Sequence, residues 1–450
     1  MDYKRRYSLI RRDDLIIYLG IAALCLLWTF TIYWRPFHDD IAFGEVLLDN
    51  PNLGMVQWLR DRIAGWSSRI AIDAALLVLP HHPVIWRLFT ALAFWLLIVI
   101  PPWFITADRV IRHRLLAIST MLTIAIPSGH YFDVGLVATT TNYLWALAAG
   151  LVAAIPAVKI IQGRSFTRWI IPAILTGIYA ASSELVSVFL VVMYLAAFVW
   201  RFWYQRSLTR FEAITVGLFA IGFLAFVVFH LVNPGNALRT QVETELRFPT
   251  YGELSVWRRA EMGFSNALRT VFMSRQFIPV FYFATIAWAA GRSLTRRWVV
   301  PLALIPAAAI LLFSDPHLPE SYFTRINSQF DPMYGLNLFR SPGRNTILAF
   351  AVLFTLLLIA IVATVAALGN RPRTWVVLTV LALGFASRAA LGFTPTIWVS
   401  GDRTNLYLLF AFGLAAMIVI ATESQPARHL PNAILHAPDE VISGREFGPV

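Results

Sequence analysis

Runs of about 18 to 23 nearly uncharged residues recur along the whole of this chain, a length that matches a bilayer and that soluble domains do not repeat. The first, Leu15 to Tyr33, would span roughly 28 Å as a helix, against a hydrocarbon core of about 30 Å. In lipid every backbone N–H and C=O must be satisfied within its own segment, so such runs can only become helices. Composition agrees: the 450 residues are 58% hydrophobic and 14% charged, and the mean hydropathy is +0.65. Soluble domains carry about 25% charged residues. The expected fold class is all-α, a polytopic transmembrane helical bundle of about 12 TM helices, with amphipathic interfacial helices in the first external loop.

Further apolar runs follow at Val84 to Phe104, from Leu115 to about Pro127, and at Tyr143 to Ile161, Trp169 to Ser182 and Leu185 to Tyr204. Phe211 to Val232, Phe277 to Gly291, Trp298 to Phe313, Ile347 to Leu368, Trp375 to Phe393 and Leu406 to Ala421 complete the set. Short basic links separate alternate runs, among them Arg109-Arg112-Arg114, Arg164-Arg168, Arg206-Arg210, Arg292-Arg296-Arg297 and Arg371-Arg373. Basic residues stay cytoplasmic, so these links mark the inner side. The organisation expected is a cytoplasmic N-terminus at 1–14, a membrane domain at 15–421 and a disordered cytoplasmic tail at 422–450. External loops are expected at 34–83, 128–142, 233–276, 314–346 and 394–405, with a dipping loop in the second. Both termini then face the cytoplasm of a plasma (inner) membrane. The N-terminal run is too long for a signal peptide and has no small-residue cleavage site, so it is read as a retained helix.

The net charge of +12 does not argue for nucleic acid, because the basic residues sit in links between apolar runs. The one cysteine, Cys25, lies inside the first run, which excludes an intrachain disulfide. RSFTR at Arg164 and RSLTR at Arg206 and Arg292 are explained by convergence on a good basic turn.

Acidic residues gather in the expected external loops, so the chemistry is expected on the outer face. Asp39 and Asp40, beside His38 just after the first run, are the leading candidates. Two adjacent carboxylates at a bilayer edge push their proton affinities apart, and one can then serve as a base. The competing reading is a helix cap. Arg239, Arg340, Arg344 and Arg403 lie in later external loops, and guanidinium groups bind phosphate through paired hydrogen bonds. Glu184 and Arg388 fall within or beside apolar runs, where a charge costs about 2.5 to 3.5 kcal/mol at mid-membrane. His38, His130 and His317 have no zinc-ligand spacing, so no metal site is assigned. Trp66 and the other loop tryptophans could stack on sugar rings or anchor at the interface.

Several short words carry a resemblance: Asp39-Asp40, Trp66-Ser67-Ser68-Arg69, Thr141-Asn142-Tyr143-Leu144-Trp145, and Pro234-Gly235-Asn236 with Arg239. With this hydropathy layout they resemble the GT-C-type polytopic membrane glycosyltransferases, which use polyprenyl-phosphate sugars, and in particular the bacterial GtrII-like glucosyltransferases and their relatives. The resemblance implies inverting transfer of a sugar from a polyprenyl-phosphate-linked donor to a cell-envelope glycan or lipid acceptor. It gives the base role to Asp39 or Asp40, donor-phosphate binding to the four arginines, and substrate binding to His38, Trp66, Arg69, Asn142, Tyr143, Asn236 and Glu184. The membrane helices would hold the isoprenoid tail. No Asp-X-Asp pair stands in the first loop, so a divalent cation, Mg or Mn, is left open as cofactor. The rival readings are a lipid-linked saccharide flippase or transporter, and a glycan polymerase or ligase.

Overall fold

The computed structural model describes residues 12–424 except 51, 314–321, 332 and 340–342. Among them there are helices and no strand, only an isolated bridge between Asp331 and Gly335. In chain order the main helices are α1 (Arg12–Thr31), α2 (Asp39–Asp49), α3 (Met55–Gly65), α4 (Ile70–Val78), α5 (Pro83–Ile105) and α6 (Arg109–Ala125). Next come α7 (Leu136–Ile161), α8 (Ile170–Ala181), α9 (Glu184–Val199), α10 (Arg210–Val232), α11 (Pro234–Arg247) and α12 (Val256–Phe272). The last are α13 (Phe277–Gly291), α14 (Val299–Phe313), α15 (Arg344–Leu368), α16 (Pro372–Ala389) and α17 (Leu406–Glu423).

Eight helical stretches are long and apolar enough to cross a membrane: α1, α5, α7, α9, α10, α15, α16 and α17, several with a short flanking extension. Each is hydrophobic around most of its circumference, as a helix in hydrocarbon must be. α7 and α17 form the middle of the bundle, 83% buried over their apolar windows, whereas α1 and α10 are 22% buried. The outer helices turn large apolar side chains outward, including Ile171, Leu218 and Leu231, which makes a surface suited to lipid and costly in water. The core between them is aromatic and aliphatic, with Trp86, Phe94, Tyr131, Tyr194 and Tyr282 nearly sealed.

Three expectations need correction. The segment 128–142 is not a dipping loop: Gly129–Phe132 is a helical turn and α7 begins at Leu136, so Asn142 and Tyr143 stand inside a helix. The polar run there closes on its own helix, with Thr140 Oγ1 donating to Leu136 O, Thr141 Oγ1 to Val137 O and Asn142 Nδ2 to Ala138 O. Residues 233–276 contain two helices, α11 and α12, in place of an open loop. Within 34–83, the segment expected to be the first external loop, α3 buries no residue and fits an interfacial helix, but α4 buries Ile72, Asp73, Leu76 and Leu77 and is part of the core. α17 also runs two residues past the expected boundary, to Glu423, and residues 425–450 of the expected tail lie outside the described residues.

The two ends of the bundle differ. At the end with the short basic links, Asp14 accepts from Arg109 and His113, Arg201 pairs with Glu212, and Arg373 pairs with Glu423. At the other end α2 to α4, α11, α12 and the 394–405 segment meet.

Candidate functional site

Asp39 and Asp40 do not form a pair. Successive residues of a helix point about 100° apart, and at the start of α2 this sends Asp40 into the protein and Asp39 to the surface. Asp40 is fully buried, and its Oδ1 accepts from the backbone N–H groups of Val137 (3.1 Å) and Ala138 (2.8 Å). It caps the N-terminus of α7, whose unsatisfied N–H groups favour a carboxylate. A Cβ at Gly135 would stand 2.5 Å from that oxygen, so the glycine is required by the close approach. Burial raises the Asp40 pKa despite these backbone donors, and Oδ2 has no hydrogen-bond partner. Asp39 is exposed and within electrostatic reach of Arg62 on α3. His38, preceding them with φ 46°, is exposed, and its ring meets Phe37 edge-on at 5.5 Å.

Arg62 opens onto a recess that several other predicted residues line. Its guanidinium lies over Phe43, Trp58 and Trp66 at 5.0, 5.3 and 5.6 Å and is 3.7 Å from Asp73. Burial lowers the Arg62 pKa and raises that of Asp73, each opposed by the other's charge. Arg69, at the start of α4, crosses to α9 and α7: its Nε donates to both Glu184 oxygens at 3.0 and 3.1 Å, and its Nη1 to Asn142 Oδ1 at 2.9 Å. The side chains of Arg69 and Glu184 keep 26% and 35% of their surface although they lie deep among the helices, so they line an open recess. The Arg69 guanidinium is desolvated, yet the charge of Glu184 holds its pKa above the ordinary value.

α11 brings in the third guanidinium. Pro234-Gly235-Asn236 starts this helix against the end of α3, where a Cβ on Gly235 would stand 2.6 Å from Ile63 O and Trp66 N. Asn236 Nδ2 donates to Ser68 Oγ and to His230 O, both at 2.8 Å. His230 closes the knot, with Nε2 at 2.8 Å from Ala181 O and Nδ1 at 2.6 Å from Ser68 Oγ. The carbonyl can only accept, so in the neutral ring Nε2 carries the hydrogen and Nδ1 accepts from the serine. Asn236 is therefore a positioning residue for α11. One turn on, Arg239 lies over Trp66 at 5.9 Å. Among the described residues no carboxylate comes within 4.0 Å of it, and burial and nearby Arg69 lower its pKa. A guanidinium largely removed from water, without an ion pair and beside two others, has the features of an anion site.

A π-helical turn at Thr140–Trp145 in α7 places Asn142 and Tyr143 over this recess. Such a turn displaces backbone carbonyls from their usual partners, and hydroxyls fill the gap: Tyr179 donates to Thr141 O at 3.0 Å and Tyr407 to Asn142 O at 3.5 Å. Tyr143 faces Tyr407 at 6.1 Å.

The four expected phosphate-binding arginines do not converge. Arg239 lies in the recess, Arg403 is 4.0 Å from Asp133 just before α7, and Arg344 is exposed at the start of α15. Arg340 lies outside the described residues. The structure instead joins Arg239 to Arg62 and Arg69. The role of Arg62 is signalled by Trp58, Arg62 and Trp66 recurring every fourth residue of one helix face. Among the described residues no three His, Cys, Asp or Glu side chains are grouped to hold a metal. With Asp40 turned into a cap and Asp39 outward, this carboxylate pair does not fit a shared cation, and no step is assigned to one.

Below the recess an apolar groove of about 360 Å³ runs between α8 and α10. Ile170, Ile174 and Ile178 line one side, and Leu218, Phe219 and Phe226 are among those on the other. It extends along α10 from Phe211 to Phe226, about 22 Å at 1.5 Å per residue. Its upper end is one helical turn below His230 and the end of α8, where Glu184 begins the next helix.

No family model, curated protein or solved structure matches this chain.

Proposed function

We propose that this protein is a GT-C-like membrane glycosyltransferase that moves a sugar from a polyprenyl-phosphate donor to a cell-envelope glycan or lipid acceptor. In this reading it spans the plasma membrane twelve times with both termini in the cytoplasm, and the reaction occurs on the outer face. The observation that supports the proposal is the placement of the α8–α10 groove, whose end at Phe226 lies one helical turn from His230, which bonds Ser68 beside Arg69. A long apolar slot one helical turn from this group of guanidiniums suits an amphiphile with one extended tail and a phosphate head.

The chemistry follows from that placement. The donor phosphate lies against Arg239, with Arg69 and Arg62 behind it, and the sugar extends toward Asn142, Tyr143 and the outer mouth. Asp39, exposed on the side of Arg62, takes the proton from the acceptor hydroxyl. The acceptor oxygen forms its bond to the anomeric carbon as the bond from that carbon to the phosphate oxygen breaks, and the electron pair leaves with the phosphate. Arg239 stabilises the charge that develops there. Asp40 holds the start of α7, and so Asn142 and Tyr143, in register. It is a positioning residue.

The test is sugar transfer by the purified chain in liposomes supplied with polyprenyl-phosphate hexoses or pentoses. Asp39→Asn is expected to lower kcat by about 10²-fold or more at unchanged membrane abundance, and Arg239→Gln to raise the donor KM. Full activity in Asp39→Asn removes the base assignment. Movement of labelled lipid-linked sugar across the bilayer with no new glycosidic bond would make the protein a flippase.

A further inference from the structure

A second group of cations, which the donor does not use, lies where α12, α16 and the 394–405 segment meet. Arg388, near the end of α16, donates from Nε to Thr270 Oγ1 at 3.3 Å and from Nη1 to Thr404 Oγ1 at 2.5 Å. Both hydroxyls spend their own hydrogens on backbone carbonyls, of Asn266 and Gly401, so they serve Arg388 as neutral acceptors and leave its charge uncancelled. Arg269, one residue before Thr270 on α12, lies over the ring of Phe330 at 5.6 Å and acts repulsively on Arg388. Among the described residues neither guanidinium has a carboxylate within 4.0 Å; Asp402 acts on Arg388 from farther away. Both keep partial exposure although they lie deep in the fold. His130 is 1% exposed, with Nε2 at 3.4 Å from Gln276 Nε2 and with no partner on Nδ1.

Two guanidiniums held near each other without a contacting carboxylate, beside a buried imidazole nitrogen with no hydrogen-bond partner, leave positive charge that an anion would balance. We propose that Arg269 and Arg388 form a second anion site that binds a phosphate group of the acceptor, so that the acceptor is itself a phosphate-bearing molecule. The anion site rests on its own geometry; its assignment to the acceptor rests on the proposed transferase reading.

The experiment is calorimetric titration of the full chain, in phosphatidylcholine nanodiscs, with inorganic pyrophosphate. Two anions per chain are expected. Arg239→Gln should remove one, and Arg269→Gln or Arg388→Gln should weaken the other by at least about tenfold, the effect of one lost charge-assisted contact. Arg388→Lys, which keeps the charge, should retain most of the binding and guards against misfolding of the Gln variant. Repeating the titration in phosphatidylglycerol nanodiscs identifies the source: loss of the Arg269- and Arg388-dependent event alone means that a lipid headgroup fills the site. Binding unchanged in Arg269→Gln and Arg388→Gln, or no anion event that depends on them, overturns the proposal. If only the Arg239-dependent event is missing, the donor reading fails and the second site stands.

Discussion

The most direct consequence at the residue scale is that adjacent acids in the sequence have separate tasks. Asp40→Ala removes the cap of α7 and is expected to cost about 1 to 2 kcal/mol of stability, read as a lower midpoint of thermal unfolding in detergent. Asp39→Ala should leave that midpoint in place, and equal losses in the two variants would show that Asp40 is not a specific cap. His130 gives a second expectation, in pH. Burial holds its pKa below the usual 6.5, against the opposing charges of Asp402 and Asp133 and with the help of Arg388. The folded protein therefore binds fewer protons at this site than the unfolded chain, and the stability involved is present above about pH 6.5 and lost as pH falls through the depressed value. His130→Gln should lose less of its unfolding midpoint than the natural chain between about pH 7.5 and about pH 5; parallel losses would place the acid sensitivity elsewhere. These roles were only partly legible in the sequence. The word Asp39-Asp40 announces a charged helix start, but which acid turns inward depends on the phase of α2 against α7, and no local pattern encodes it. Pro234-Gly235-Asn236 carried a signal that the loop reading did not use, since proline opens helices and glycine permits close approach.

At the scale of elements, hydropathy located the apolar helices closely because lipid leaves the backbone no alternative, and the same rule failed where polar residues satisfied themselves. Thr140, Thr141 and Asn142 read as loop, yet each returns a hydrogen bond to its own helix and lets α7 continue through them. α12 was concealed by its charges, although Met262, Leu268, Val271 and Phe272 lie on one buried face. The repeated RSFTR and RSLTR words prove to be local turns with different uses. Thr209 forms a capping box with Glu212 at the start of α10, whereas Ser293 bonds to Thr295 across the start of the 3-10 turn Leu294–Arg296. The groove between α8 and α10 supports a prediction at this scale. Gly222 lines it, and a Cβ there meets nothing within 4 Å, so Gly222→Phe fills the slot without pushing the backbone. Replacing a mid-helix glycine also removes a propensity penalty of about 0.5 to 1 kcal/mol, so the variant should fold as well as the natural chain. Its KM should rise for long-chain polyprenyl-phosphate donors and stay level for donors with a truncated tail. An equal rise for both would mean that the tail lies elsewhere.

Over the whole molecule, the site is a product of contacts that no window of sequence contains. Arg69 meets Glu184 across 115 residues and Ser68 meets His230 across 162, so their partnership appears only when the bundle closes. What the sequence does carry is the asymmetry between ends: short basic links on one side, long acid- and arginine-bearing segments on the other, and the structure keeps these groups at opposite ends. The proposed orientation can be tested with the chain's own chemistry. Its one cysteine, Cys25, is buried, so the natural protein should react poorly with a membrane-impermeant maleimide. Exposed positions at the two ends then become reporters, Gln57 on α3 and Gln241 on α11 at one end, Ser165 and Asn370 in basic links at the other. In intact cells Gln57→Cys and Gln241→Cys should label, whereas Ser165→Cys and Asn370→Cys should label only after the membrane is opened. The inverse pattern would place Arg62, Arg69 and Arg239 on the cytoplasmic face. A phosphate-lipid head could still bind there, but the acceptor would have to be cytoplasmic, and transfer to an envelope glycan on the outer face would be excluded for this recess.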